Sequence, residues 1–392
     1  MGDGRTRQFS AMILGARGQA VGEIPDGVIG RITHAPVVQP RDEYVLVCSQ
    51  HDAESAEGYA AVLCAEPLPS TVRLPAVHSI ETGHLSDGDI VGIDRRGYVR
   101  TLYRQQSPHN FIFATDRCNS LCLMCSQPPR EIDETGIVER HLRLVRLIDP
   151  TTKELGITGG EPTLLGEGLI RLIAECRDRL PATALHVLSN GRRFAAAGYA
   201  DHVGAVRHPD IMFGIPVYSD IDSEHDYVVQ SQGAFGETIR GLQNLALHDV
   251  PVEIRVVVHR LTYERLPQLA EFIYRNLTFV SQVVIMGLEI TGYTVPNLST
   301  LWIDPADYAE QLRAATVFLA NRGIRVWIYN HQLCTVPRDL WPFCRQSISD
   351  WKNEYVSDCA HCAVRNDCGG FFASAVARGA TSRAIGPVKH TA

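Results

Sequence analysis

From Phe111 onward the chain alternates short apolar runs with longer amphipathic stretches, and this alternation restricts its possible folds more than any other feature. The apolar runs fall at residues 111–115, 154–158, 184–189, 211–219, 252–259 and 283–290. Most are continuous and rich in Val and Ile, as strands covered on both faces should be. Residues 165–180, 235–248, 264–276 and 305–321 carry helical periodicity between and after them. Repeated strand–helix units imply a parallel sheet with right-handed crossovers. Six such units predict an α/β fold, a partial (β/α)6 barrel of the TIM type, with its active site at the C-terminal strand ends. Residues 324–329 read as a further strand.

The flanking regions differ from this core. Residues 1–105 interrupt short β-type runs with Gly, Pro and Asp, and a hairpin is expected around Asp94-Arg-Arg-Gly97. The expected organisation is a β-rich N-terminal domain over 1–105, a core barrel over 106–300 and a Cys-rich extension over 301–392. Net charge is −7, from 37 Lys and Arg against 44 Asp and Glu, which argues against a partner bound through a basic face, such as nucleic acid or an anionic membrane. No apolar run approaches the ~20 residues of a membrane span, and the N-terminal stretch lacks the pattern of a secretory signal. The expected compartment is the cytoplasm, where clustered cysteines point to metal or catalysis before disulfides.

The first cysteine group follows the first strand and reads Cys118-Asn-Ser-Leu-Cys122-Leu-Met-Cys125. Three thiolates in one short loop can hold three irons of a cubane and leave the fourth open. A zinc loop is the competing reading, although structural zinc wants a fourth ligand that is not close by in sequence. Gly159-Gly160-Glu161-Pro162 follows the second strand. Paired glycines let backbone approach a ligand closely, and Glu161 offers a carboxylate to an ammonium group. The same residues would also suit an ordinary strand–helix turn.

The Cys-x3-Cys-x2-Cys spacing and the Gly-Gly-Glu-Pro run resemble the radical S-adenosylmethionine (SAM) superfamily over about residues 109–290. Many members have an aromatic residue where this chain has Met124. The resemblance implies that Cys118, Cys122 and Cys125 are the catalytic cluster ligands of a 4Fe–4S centre. It implies that Met124, Gly159, Gly160, Glu161 and Pro162 line the SAM site. Ser189 and Asn190, from Ser189-Asn190-Gly191, vary the Thr-Asn-Gly found at that strand end in many members, and Ser219 and Arg255 are further candidate contacts to SAM. Ser189 and Asn190 also suit a turn, and Arg255 a structural ion pair. The implied chemistry is reductive cleavage of SAM to methionine and a 5′-deoxyadenosyl radical that abstracts hydrogen from a substrate carbon.

The second group, Cys334, Cys344, Cys359, Cys362 and Cys368, crowds the tail. Cys359-x2-Cys362-x5-Cys368 resembles part of the SPASM/twitch extension of peptide-modifying members, truncated because Phe372 stands where a further cysteine would follow. The expected ligands of an auxiliary 4Fe–4S cluster are Cys344, Cys359, Cys362 and Cys368, with Cys334 free or substituting for Cys344. A tetrahedral zinc site is the alternative. Cys48, Cys64 and Cys176 read as small buried hydrophobes.

The whole layout is similar to the radical SAM maturases of the His-Xaa-Ser peptide system, the smaller of its two such proteins. That likeness implies a ribosomally made peptide substrate, a second maturase as a partner, and an electron donor such as flavodoxin or ferredoxin. Action on a small molecule or nucleobase, and a non-catalytic zinc or iron–sulfur protein, are the competing readings.

Overall fold

The computed structural model describes residues 15–389 except Asp26, Glu54, Ser70, Thr71, Asp350 and Trp351. It divides into two compact units, one taking the described residues up to 111 together with 139–152, the other 112–138 and 153 onward.

The first unit is built on an eight-stranded sheet. Its strands are β1 (Gly15–Arg17), β2 (Gln19–Val21), β3 (Val28–Thr33), β4 (Tyr44–Val47), β5 (Ala61–Cys64), β6 (Ala76–His78), β7 (Ile90–Ile93) and β8 (Tyr98–Tyr103), ordered β1-β8-β7-β3-β4-β5-β6-β2. Val45 and Leu63 face one apolar cluster while Leu46, Val62 and Cys64 face another, so the period-two alternation of β4 and β5 feeds a core on each side. The β7–β8 hairpin turns at Asp94–Gly97, where Asp94 N donates to Tyr98 O and Gly97 takes a φ of +76°. A short helix, α1 (Gln50–Ala53), lies between β4 and β5.

A helix that sequence periodicity did not single out, α2 (Ile137–Leu147), gives most of its length to this unit. Leu147 O accepts from Arg31 Nε at 2.7 Å, and Arg143 Nε donates to Ile29 O.

The second unit carries a sheet of eight strands in chain order: β9 (Phe111–Phe113), β10 (Glu154–Thr158), β11 (Ala184–Leu188), β12 (Ile211–Pro216), β13 (Val252–Val257), β14 (Gln282–Met286), β15 (Val326–Tyr329) and β16 (Cys344–Arg345). Every pair from β10 to β16 is parallel. The six expected strands are the first six of these. β15 and β16 extend the sheet, because the apolar run Val326–Tyr329 registers on β14 and then receives Cys344 and Arg345 along its free edge.

Helices α3 (Glu167–Arg179), α4 (Ala197–Val206), α5 (Asp222–Val229), α6 (Ala234–Leu247), α7 (Leu266–Asn276), α8 (Leu298–Leu301) and α9 (Ala309–Ala320) fill the connections, and α10 (Ala373–Val376) lies in the tail. No helix of the described residues is long and apolar enough to cross a membrane.

One set of alternate strand residues, including Ile157, Val187, Phe213, Ile254 and Ile285, is buried. The opposite set is partly polar. There Glu253 accepts from Arg255 Nη1 at 2.8 Å and Gln282 Nε2 at 2.5 Å. Burial opposes its ionisation, but His186, Arg255 and Gln282 outweigh that and bring the carboxyl down to about 2.

His225, His259 and His331 are the most deeply enclosed imidazoles among the described residues of this unit. Burial holds each down at about 4, from an ordinary 6.5. The unfolded chain therefore takes up these protons first. Stability is intact above pH 6.5 and drains away as pH falls toward 4. Going from pH 7 to 5 is expected to remove roughly 2 kcal/mol per histidine, read as a falling urea midpoint; a midpoint that does not move would refute it.

Candidate metal centre

The Cys118–Cys125 loop leaves β9 at the C-terminal end of the sheet and is pinned from several sides. Gly160 N donates to Thr115 O at 2.7 Å and Glu161 N to Arg117 O at 2.8 Å. A Cβ on Gly160 would stand 2.1 Å from Arg117 O, and one on Gly159, whose φ is +140°, would stand 2.5 Å from Thr115 O. The paired glycines thus admit the backbone of the cysteine loop itself, whereas the sequence suggested close approach of a ligand.

Glu161 is likewise engaged within the protein. Its carboxylate is fully enclosed and accepts from Thr163 N, Thr163 Oγ1 and Ser189 Oγ on Oε1, and from Asn190 N on Oε2 at 2.6 Å. Its hydrogen bonds join the turn after β10 to the turn after β11. Pro162 sits buried at the start of the short 3-10 turn that Glu161 caps. Asn190 Nδ2 then reaches Asn119 Oδ1 inside the loop at 2.6 Å.

The other candidates are engaged within the protein. Ser219 Oγ donates to Glu224 and accepts from Ile221 N. Arg255 is held by Glu253 and by Met286 Sδ, the structural pairing that its sequence position also allowed. Met124 packs into an apolar cluster with Tyr218, Val228, Val229 and Leu301, which seats the loop.

Several holding residues had no motif to announce them. Arg192 donates through Nη1 to Asn119 O at 2.5 Å and to Ser120 Oγ, and is braced by Glu237 at 2.6 Å. It lies just beyond Ser189-Asn190-Gly191, so reading that motif one residue further was the available signal. Asn297 Nδ2 donates to Leu123 O, Thr294 Oγ1 to Met124 O, and Tyr293 N to Cys125 O. Leu121 N and Leu123 N donate to Val229 O and Val228 O at the end of α5. His225 Nδ1 accepts from Tyr218 N, so this ring supports the cluster floor.

The three thiols are free and partly buried. Burial pushes Cys118 up to about 11, helped by Glu161 and Cys125. It pushes Cys122 up to about 12, helped by Cys125 and Cys118 and opposed by Arg192. Cys125 is raised by burial as well. Thiols that oppose one another's ionisation become a thiolate set only when a cation is supplied among them. Among the described residues no three Cys, His, Asp or Glu side chains are gathered tightly enough to grip one ion. A cubane does not require that, since each thiolate meets its own iron corner.

The tail thiols are also free, and Cys368 neighbours Cys334, Cys344 and Cys359. Burial and Cys368 together push Cys344 up to about 12. Burial, Cys368 and Cys359 act on Cys334, and burial, Cys368 and Cys362 on Cys359. Cys334, expected to be free or to substitute for Cys344, thus lies within electrostatic reach of Cys368 and Cys359. Leu333 N donates to Cys368 Sγ and Val388 N to Cys362 Sγ, each at 3.4 Å. Cys64 and Cys176 are enclosed and Cys48 is half-buried in the N-terminal core.

Residues 112–273 match the family described as the radical SAM superfamily. The matched segment runs from β9 into α7. That family uses a 4Fe–4S cluster and SAM. Three half-buried thiols on one loop, Cys118, Cys122 and Cys125, are a donor set that would fit such a cluster.

Among curated proteins none matches the sequence. Solved structures similar to the chain include Streptococcus suis SuiB bound to S-adenosylmethionine, at 16% identity and a TM-score of 0.45, covering 58% of this chain and 52% of SuiB. Another is anSMEcpe with bound AdoMet and a Cp18Cys peptide, at 14% identity and a TM-score of 0.42, covering 55% of this chain and 62% of that one. A third is a domain of pyruvate-formate lyase-activating enzyme from Bacteroides vulgatus, at 16% and 0.36, covering 45% of this chain and 98% of the domain. The matched part spans about half the length of SuiB.

Proposed function

We propose that this chain is a radical SAM enzyme that cleaves S-adenosylmethionine reductively and abstracts hydrogen from a ribosomally made peptide, as a maturase of the His-Xaa-Ser type. One observation carries the first half: three free, half-buried thiols on one clamped loop at the C-terminal end of a parallel sheet, in the segment that matches the radical SAM superfamily. The Cys359-x2-Cys362-x5-Cys368 tail supports the peptide half.

When bound, the cluster and SAM supply a 5′-deoxyadenosyl radical. The chain's own part is to hold and shield. Cys118, Cys122 and Cys125 take three irons. Arg192 and Asn190 fix the Asn119–Ser120 turn between the first two ligands, and Asn297, Thr294 and Tyr293 fix the turn between the last two. Met124, Tyr218, Val228 and Val229 close an apolar floor beneath the loop and keep water from it. The tail cysteines would hold an auxiliary 4Fe–4S cluster, with zinc as the rival occupant. A flavodoxin or ferredoxin as electron donor and a second maturase belong to the same proposal.

Anaerobic reconstitution with SAM, reductant and a His-Xaa-Ser precursor peptide tests it. The expected result is 5′-deoxyadenosine, a peptide lighter by about two mass units, and about eight irons per chain. Deoxyadenosine with an unaltered peptide would remove the peptide half alone. About four irons with one zinc would remove the auxiliary cluster alone.

A further inference from the structure

At the other end of the sheet from the Cys118 loop, where β14 and β15 begin, lies a hollow of about 620 Å3. Three arginines line it, Arg322, Arg325 and Arg345, along with Tyr274, Trp327 and Phe343, and no Asp or Glu does. This is an unusual concentration of positive charge in a chain whose net charge is −7. Among the described residues none of the three makes an ion pair. Arg325 makes no side-chain hydrogen bond either, and all three are exposed.

Two of the guanidinium groups are held in place while most of their N–H donors stay unused. Arg345 stacks on the Trp327 ring at 3.7 Å, and its Nη1 donates to Pro342 O and Cys344 O. Arg322 stacks on Phe318 at 3.5 Å, leans on Tyr274 at 5.2 Å, and donates only to Phe318 O. Stacking and carbonyl contacts pre-organise a guanidinium without neutralising it, so little ordering remains for a ligand to impose. Like charges gathered around one hollow repel until an anion enters.

We propose that this hollow is a binding site for a small polyanion carrying phosphate groups, distinct from the radical site. A carboxylate offers a single edge of two oxygens. A diphosphate presents oxygens in several directions and can meet forks arriving from the segment just before β15, which carries Arg322 and Arg325, and from Arg345 in β16. The hollow has the size of an ordinary small-ligand pocket. Arg345 follows Cys344 directly, so an occupant there would also be felt at the tail cysteines.

The test is calorimetric titration of the full, reconstituted chain with inorganic pyrophosphate at fixed ionic strength, with orthophosphate and citrate as comparisons. Pyrophosphate is expected to bind saturably and at least about tenfold more tightly than either. Arg325→Gln breaks no side-chain hydrogen bond or ion pair among the described residues, so it should keep the wild-type circular dichroism and melting midpoint while weakening pyrophosphate about tenfold. Arg345→Lys, which keeps the charge and loses the fork, should weaken it less than Arg345→Gln. Absence of saturable binding up to about 10 mM would overturn the proposal. So would binding that Arg325→Gln and Arg345→Gln leave unchanged, citrate binding as tightly as pyrophosphate, or capture of an acidic polypeptide such as polyglutamate with no affinity for pyrophosphate.

Discussion

Cys122→Ala is expected to strip the cluster from the Cys118 loop and abolish SAM cleavage while leaving the fold in place. A cubane held through three irons has no spare protein ligand, and Cys122 stands between the other two, electrostatically coupled to both. Iron content should fall by about four per chain, and deoxyadenosine formation should drop at least about a thousandfold. The fold should survive because Cys to Ala removes a single sulfur from a half-buried position, at a cost of about 1 kcal/mol. Cys176→Ala is the matched control. That thiol is enclosed in α3, away from both cysteine groups, and its loss should leave iron and turnover unchanged. Full iron and turnover in Cys122→Ala would refute the assignment of this loop.

The second large effect is expected from a single methyl group. In Gly160→Ala the added carbon would fall 2.1 Å from Arg117 O, a distance no carbon–oxygen contact sustains. Backbone lies on both sides of the clash, so no flexible side chain can yield. The turn after β10 must separate from the cysteine loop, breaking the Gly160–Thr115 and Glu161–Arg117 bonds. The expected cost is about 3 kcal/mol of stability together with most of the cluster iron, measured by thermal unfolding and metal analysis. Gly198→Ala, in α4 with open space around it, should be neutral or slightly stabilising. If Gly160→Ala behaved like Gly198→Ala, the loop could not be packed as described.

The strands were legible in the sequence because a parallel sheet buried on its helix-facing side writes itself as continuous Val and Ile runs. Residues 154–158 were read to their observed ends. Where a run continues past its strand, as at residues 217–219 after β12, composition alone does not mark the stop. The two-residue β16 is too short to leave any periodicity, and it exists because β15 offers an edge. Most of α2 went unread as part of the N-terminal unit, since its attachment depends on Arg31 and Arg143, one of them more than a hundred residues away.

At the centre, the motifs did not name the partners that each side chain finds within the protein. Gly159 and Gly160 were read toward a ligand and serve a neighbouring backbone. Glu161, Ser189 and Ser219 were read toward SAM and spend their hydrogen bonds inside the protein. Such partners are tertiary, and no local pattern names them. The arginine hollow is illegible for the same reason, since Arg345 joins Arg322 and Arg325 only when β16 registers on β15.

One enclosed carboxylate links what would otherwise be independent surface turns. Glu161 receives the backbone amides of Thr163 and Asn190, and Asn190 in turn grips Asn119. Solvent deuterium can reach either amide only by disturbing that shared acceptor, so their exchange should follow one opening event with a single free energy. Breathing at the rim of the sheet is then concerted, and a disturbance beginning in any one of these turns is transmitted to the others.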